Sequence, residues 1–136
     1  MSDYSTALSF YQKACEICEK NPQLSQLNEA ATTYDKIGSV HHSMEEYSIA
    51  LSFCEKALEI QSKSPNPKNR SLAITYGNIG LAYHEVNDHQ KALTFYEKEF
   101  EIEQKALPDD HRDLATSYTN IGLVYDAMKD YTTALE

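Results

Sequence analysis

Cys15-Glu16-Ile17-Cys18 is the one pair in this chain whose residue types and spacing match a redox or metal site. A structural zinc needs four ligands, and Cys54 and His41 are the only nearby candidates to complete the set. The CxxC lies inside a helical pattern with no Gly or Pro turn, and Cys15 shares an apolar stripe with Leu58 and Phe100. Both thiols therefore read as packing residues, with no metal or cofactor. His41 and His42 are adjacent and so point in different directions, His41 towards the core. His111 beside Asp109 and Asp110 reads as a helix-start residue. Glu97, Glu99, Glu101 and Glu103 alternate along a helix, so they fan over its faces and read as a solvated acidic surface. There is no Gly-rich phosphate loop, nucleophile elbow or ordered Ser/His/Asp set. The expectation is a chain that is not an enzyme.

The elements that carry these residues repeat. Tyr76-Gly77-Asn78-Ile79-Gly80-Leu81-Ala82-Tyr83 returns 42 residues later as Tyr118-Thr119-Asn120-Ile121-Gly122-Leu123-Val124-Tyr125, and Gly38 lies 42 upstream of Gly80. A second block, Ala50-Leu51-Ser52-Phe53-Cys54-Glu55-Lys56, echoes as Ala92-Leu93-Thr94-Phe95-Tyr96-Glu97-Lys98. Each block places apolar or small residues along one stripe of a 3.6-residue helix. We name the first helix A and the second helix B. Polar turns join A to B at Met44-Glu45-Glu46, Val86-Asn87-Asp88 and Met128-Lys129-Asp130, where the last acid suits a helix start. Longer segments at 21–26, 64–69 and 107–111 join B to the next A. Helical units of this length cannot bury their apolar faces alone and stack into solenoids. A glycine inside a helix costs roughly 1 kcal/mol against alanine, so Gly38, Gly80 and Gly122 imply close approach to Ala50, Ala92 and Ala134.

Net charge limits what such a chain can bind. At −9 over 136 residues it lacks the basic footprint that nucleic acid requires. No stretch approaches the length of an apolar membrane helix, and no signal-peptide pattern opens the chain, so a cytoplasmic location and no membrane association are expected. Three cysteines are an odd number and do not suit a disulfide framework.

These residues resemble tetratricopeptide repeats (TPR), as seen at Tyr76, Ile79, Gly80, Tyr83, Ala92 and Tyr96. The 42-residue period, with Leu107-Pro108-Asp109-Asp110-His111 leading into Leu114-Ala115-Thr116, is similar to the kinesin-light-chain variety. Cys54, His41 and Glu99 depart from the family pattern at single sites. The resemblance implies an all-α, right-handed superhelical solenoid of antiparallel helix pairs. It divides the chain into a helix B at 1–27, repeats at 28–69 and 70–112, and a truncated repeat at 113–136. It also implies protein–protein interaction, with a protein or extended peptide as partner on the concave helix A face. The residues expected there are Lys36, Ser39, His42, Ile74, Asn78, Leu81, His84, Asn120, Leu123 and Asp126. Asn78 and Asn120 match the family position whose amide bonds a peptide backbone. Equally, they could bond neighbouring helices. The alternative reading is an accessory region of a larger enzyme or signalling protein. Leu8 and Tyr11 at one end, and Tyr118, Ile121 and Tyr125 at the other, lack covering helices, so end-to-end self-association is expected.

Overall fold

The computed structural model describes residues 3–20, 24–63 and 69–135, with side chains described throughout except at 24–26, 69 and 130–135. The order is α1 (Tyr4–Lys20), α2 (Leu24–Ser43), α3 (Tyr47–Lys63), α4 (Asn69–Glu85), α5 (His89–Ala106) and α6 (Arg112–Leu135). Among the described residues there is no strand, and the chain is an all-α repeat array. Helices α2 with α3, and α4 with α5, form the closest pairs. Between pairs α1 packs on α2, α3 on α4 and α5 on α6, and α2 also touches α4. The helix A elements α2 and α4 thus lie side by side.

The first two A–B turns are short and close through backbone bonds. Glu46 N–H donates to the His41 carbonyl at 2.9 Å and Glu45 N–H to the His42 carbonyl at 2.9 Å, and Asp88 and Asn87 repeat the pattern onto Tyr83 and His84. This is the Schellman motif, which needs a left-handed residue at its centre. Glu45 (φ 62°) and Asn87 (φ 65°) take that conformation although neither is glycine. Asp88 then caps α5 by accepting from the Lys91 N–H at 3.3 Å.

The third turn departs from expectation. Lys129 stands where Glu45 and Asn87 turn the chain, yet α6 continues as one helix to Leu135. A left-handed conformation costs a non-glycine residue roughly 1–2 kcal/mol. In the first two units packing of helix B back on its helix A accompanies the turn. A second departure lies at 21–26, read as a connecting segment, where α2 already begins at Leu24. Residues 21–23 and 64–68 lie outside the described residues.

The stripes meet as the 3.6-residue pattern requires. Ile37, Ile79, Ala50, Ala57, Ala92 and Val124 are buried, each isoleucine contributing roughly 1.5–3 kcal/mol by leaving water. On the edge of each pair a phenylalanine of helix B lies among helix A rings. Phe53 sits 6.1 Å from Tyr34 and 5.5 Å from His41. Phe95 sits 6.0 Å from Tyr76 and 5.8 Å from Tyr83. Lys56 and Lys98 lie over these rings at 5.2–5.8 Å.

The glycines serve this approach, Gly38 against Ala50 as the periodicity suggested and against Cys54 as well, Gly80 against Tyr96 instead of Ala92. A Cβ on Gly38 would stand 2.8 Å from Cys54 Sγ and 3.1 Å from the Ala50 carbonyl oxygen, and one on Gly80 would stand 2.8 Å from the Tyr96 ring. Cys54 and Tyr96, one turn beyond Ala50 and Ala92 on helix B, supply the side chains that fill the gap. Gly122 meets nothing within 4 Å, and the Ala134 side chain proposed for it lies outside the described residues.

Candidate functional site

Most of the expected site residues of the first two units gather where α2 and α4 run together. Thr32, Lys36, Ser39, Arg70, Ile74 and Asn78, with Asp35 and Ser71 below, line a cavity of about 300 Å³. A smaller adjoining hollow of about 150 Å³ takes in Ser39, His42, Asn78 and Leu81. Lys36 and Ser39 are exposed, and Ile74 keeps 49% of its surface open. The groove therefore offers an apolar floor flanked by two cations, Lys36 and Arg70.

His42 and His84 point less freely than their register suggests. His42 meets the Tyr47 ring edge-on at 5.1 Å, and His84 lies 5.7 Å from His89, so both pack against the first residue of the following helix B. In the third unit Asn120 is half-buried while Leu123 and Asp126 are exposed on α6, and these three border neither cavity. His41 is half-buried, stacked on Phe53 and 3.5 Å from Glu46.

Asn78 has a neighbour that periodicity could not supply. Asp35 of α2 is buried below the groove, and burial lifts its carboxyl to about 6. The rise is tempered by the Thr75 hydroxyl, which donates to Oδ2, and by Asn78 and Cys54, which lie against the same carboxyl with looser geometry. Gln61 Nε2 in turn donates to Ser71 Oγ at 2.9 Å and Thr75 Oγ1 at 3.0 Å. A polar chain thus runs from α3 through α4 to α2. Asn78 serves this joint as well as the groove. Asn120 lacks such a partner, because Gly77 stands one repeat after Asp35 in the register that faces it.

The acidic run on α5 is only half solvated. Glu97 and Glu101 are exposed, whereas Glu99 and Glu103 turn inward. Glu99 occupies the place of Ala57, and its carboxylate fills the room over Gly77, whose absent Cβ would lie 2.5 Å from Oε1. Burial, then the charges of Glu103 and Asp113, raise Glu99 to about 7. Glu103 accepts from the Ser117 hydroxyl of α6.

Burial also explains the thiols. Cys15, Cys18 and Cys54 are buried and free. Desolvation, with nearby acids adding to it, lifts Cys15 to about 11 and Cys54 to about 12, and raises Cys18. Thiols so protonated are poor nucleophiles. Among the described residues no three His, Cys, Asp or Glu side chains converge as metal ligands, and no helix is long and apolar enough to cross a membrane. His111 starts α6 as read, its Nδ1 accepting from the Asp113 N–H at 3.1 Å.

One feature escaped the sequence reading. Arg70 and Arg112 are the only two arginines, one repeat apart, and both border a cavity of about 420 Å³ with Ile74, Ile102, Leu107 and His111. Arg70 and Ile74 belong to this cavity and to the groove alike. The identical 42-residue step was the available signal, but both residues precede the apolar stripe of helix A.

Paired helices stacked by repeat, with glycine seating the helix B ring, define a helical-repeat protein. The tetratricopeptide-repeat family model matches residues 29–105, a second such model matches 115–136, and the chain belongs to that family. In fold it is similar to a kinesin-light-chain-like repeat protein, BtubC (BKLC) from P. vanneervenii, seen in a crystal structure. The TM-score is 0.71 at 15% identity, over 95% of this chain and 50% of that one. The chain thus spans half the length of that protein. No curated protein matches it.

Proposed function

We propose that this chain is a protein–protein interaction module that takes an extended segment of a partner along the groove between α2 and α4. The family mediates such interactions in general. The observation that favours this face is the cavity of about 300 Å³ that joins Lys36, Ser39, Ile74 and Asn78 across two repeats. Ile74 and Leu81 would hold apolar side chains, and Lys36 with Arg70 would favour an acidic group. Asn120, Leu123 and Asp126 would extend the surface along α6. Two full repeats at 28–69 and 70–112 carry the groove in this reading. An accessory role beside a catalytic domain elsewhere in a longer protein is the second reading. A cytoplasmic setting fits the three free thiols.

The test uses a partner recovered by pull-down and then purified. Lys36→Glu combined with Ile74→Asp changes two exposed residues, so the helical melt should hold while binding falls at least tenfold, roughly 1.4 kcal/mol. Asn78→Ala is the weaker probe, because it also loosens the contact with Asp35. Undiminished binding by the Lys36/Ile74 variant would place the site on another face.

A further inference from the structure

We propose, on the reading that a partner segment lies in the groove between α2 and α4, that Asp35 is a positioning residue for that site. Its carboxylate turns the Asn78 amide so that the carbonyl oxygen, not the NH2, meets the partner, and the groove takes a main-chain N–H donor.

An asparagine amide has an acceptor at one end and two donors at the other, so what it recognises depends on which way it is turned. Asn78 is half-buried and borders both hollows of the groove. Its amide also lies against the Asp35 carboxyl, which is buried at the floor of the larger hollow. An ionised carboxylate only accepts hydrogen bonds. Thr75 donates to Oδ2, and the buried Oδ1 has no donor at full hydrogen-bond geometry. The Asn78 contact favours the ionised acid, as a donor does. Its NH2 is therefore drawn down to Asp35, and its carbonyl is left to the groove.

Protonation reverses this preference. A neutral Asp35 brings a proton that the Asn78 carbonyl can accept, and the amide then turns its NH2 outward. Burial places that change near pH 6. Affinity for an N–H donor is thus full well above 6 and is lost as pH falls through it. The contacts on the carboxyl come from α3 and α4, namely Cys54, raised by burial to about 12, with Thr75 and Asn78. The charged or titratable groups around the two hollows are Lys36 and His42 of α2 and Arg70 of α4. The next repeat supplies the contrast, since Gly77 stands in place of Asp35 and nothing turns Asn120.

The probe is a dodecapeptide selected on the full chain at pH 7.5 from a displayed random library, then synthesised and titrated calorimetrically. Parent affinity should fall about five- to tenfold from pH 7.5 to pH 5, the size of one lost hydrogen bond. Asp35→Asn, whose NH2 stands in for the protonated acid, should bind at pH 7.5 as weakly as the parent does at pH 5, with no further fall. Titration of the peptide itself cancels between the two proteins. His42→Gln should keep the parent's pH dependence, and N-methylation of the peptide at one position should remove it. In the chain without peptide, the Asn78 side-chain amide should shift by NMR with a midpoint near 6 while that of Asn120 stays still. That measurement stands even where Asp35→Asn fails to fold. A motionless Asn78 amide would overturn the proposal and leave the groove in place. So would parallel pH profiles of parent and Asp35→Asn for a peptide that Lys36→Glu with Ile74→Asp no longer binds. A peptide indifferent to Lys36→Glu with Ile74→Asp would overturn the groove itself, and this role of Asp35 with it.

Discussion

Glu99 makes the stability of the α5–α6 joint depend on pH in a direction opposite to that of a salt-bridged carboxylate. Its carboxyl lies over Gly77 of α4, with Glu103 on its own helix and Asp113 on α6 as its charged neighbours. Arg70 and Arg112 line a cavity with Glu103 and Asp113 but not with Glu99. The ordinary value of 4.5 is raised to about 7, by burial first and then by the two acids. The folded chain therefore holds the proton more tightly than the unfolded chain. The stabilisation is complete below pH 4.5, is lost as pH climbs from 4.5 to about 7, and changes no further above that. At roughly 1.4 kcal/mol per unit the full shift would be about 3 kcal/mol. Partial exposure of the group screens its charge, which leaves an effect of about 1–2 kcal/mol.

Glu99→Gln isolates this effect, since it keeps the shape of the protonated acid and cannot ionise. At pH 8 the variant should be about 1–2 kcal/mol more stable than the parent, or roughly 3–8 °C in melting temperature. At pH 4.5 the two should melt together. Asp35 also titrates with a raised value, near 6, but it is present in both proteins and drops out of the difference. The assay is thermal melting by circular dichroism from pH 4.5 to 8, at a concentration where mass is constant. Parallel melting curves across that range, or a variant less stable at pH 8, would refute the reasoning.

Gly80→Leu should destabilise the fold by about 1–3 kcal/mol by overpacking, because its Cβ alone would press on the Tyr96 ring at 2.8 Å. Thermal melting checks this, and Gly122→Leu is the control expected to leave monomer stability unimpaired. Thr75→Val removes the donor to Asp35 and should cost about 1–3 kcal/mol. The loss should be greater at pH 8 than at pH 5, because Asp35 titrates near 6 and its ionised form needs the hydrogen bond; denaturant melts at the two pH values measure it. Cys15, Cys18 and Cys54 should resist iodoacetamide at pH 7.5 until the chain unfolds, and mass spectrometry showing rapid native labelling would contradict their burial.

Most of the fold was legible because helical periodicity and the 42-residue step are properties of the backbone register. Ile37, Ile79 and Val124 are buried where the stripe places them. The continuous helix through Lys129 was not legible, because register marks where a left-handed residue could stand and not whether the chain adopts it. The glycine contact was met at Gly38, which approaches Ala50, but at Gly80 it falls one turn further along, on Tyr96, because periodicity gives the face of helix B but not the height of the crossing. At the groove, the register marked Lys36, Ile74 and Asn78 as neighbours, and one cavity joins them. Asp35 beneath Asn78 went unread, since a buried carboxylate depends on donors from two other helices.

The two joints between repeats show how far chemistry can diverge on one backbone. At matched positions the α3–α4 joint has Ala57, Gln61, Ser71 and Thr75, where the α5–α6 joint has Glu99, Glu103, Asp113 and Ser117. In the first, the donors of Gln61 and Thr75 converge towards the single carboxylate of Asp35. In the second, Glu103 accepts from the Ser117 hydroxyl, while the charges of Glu103 and Asp113 bear on Glu99. Repeat arrays hold together through such nearest-neighbour terms. At neutral pH the second joint carries repulsion that the first does not, so α6 should part from α5 before α4 parts from α3.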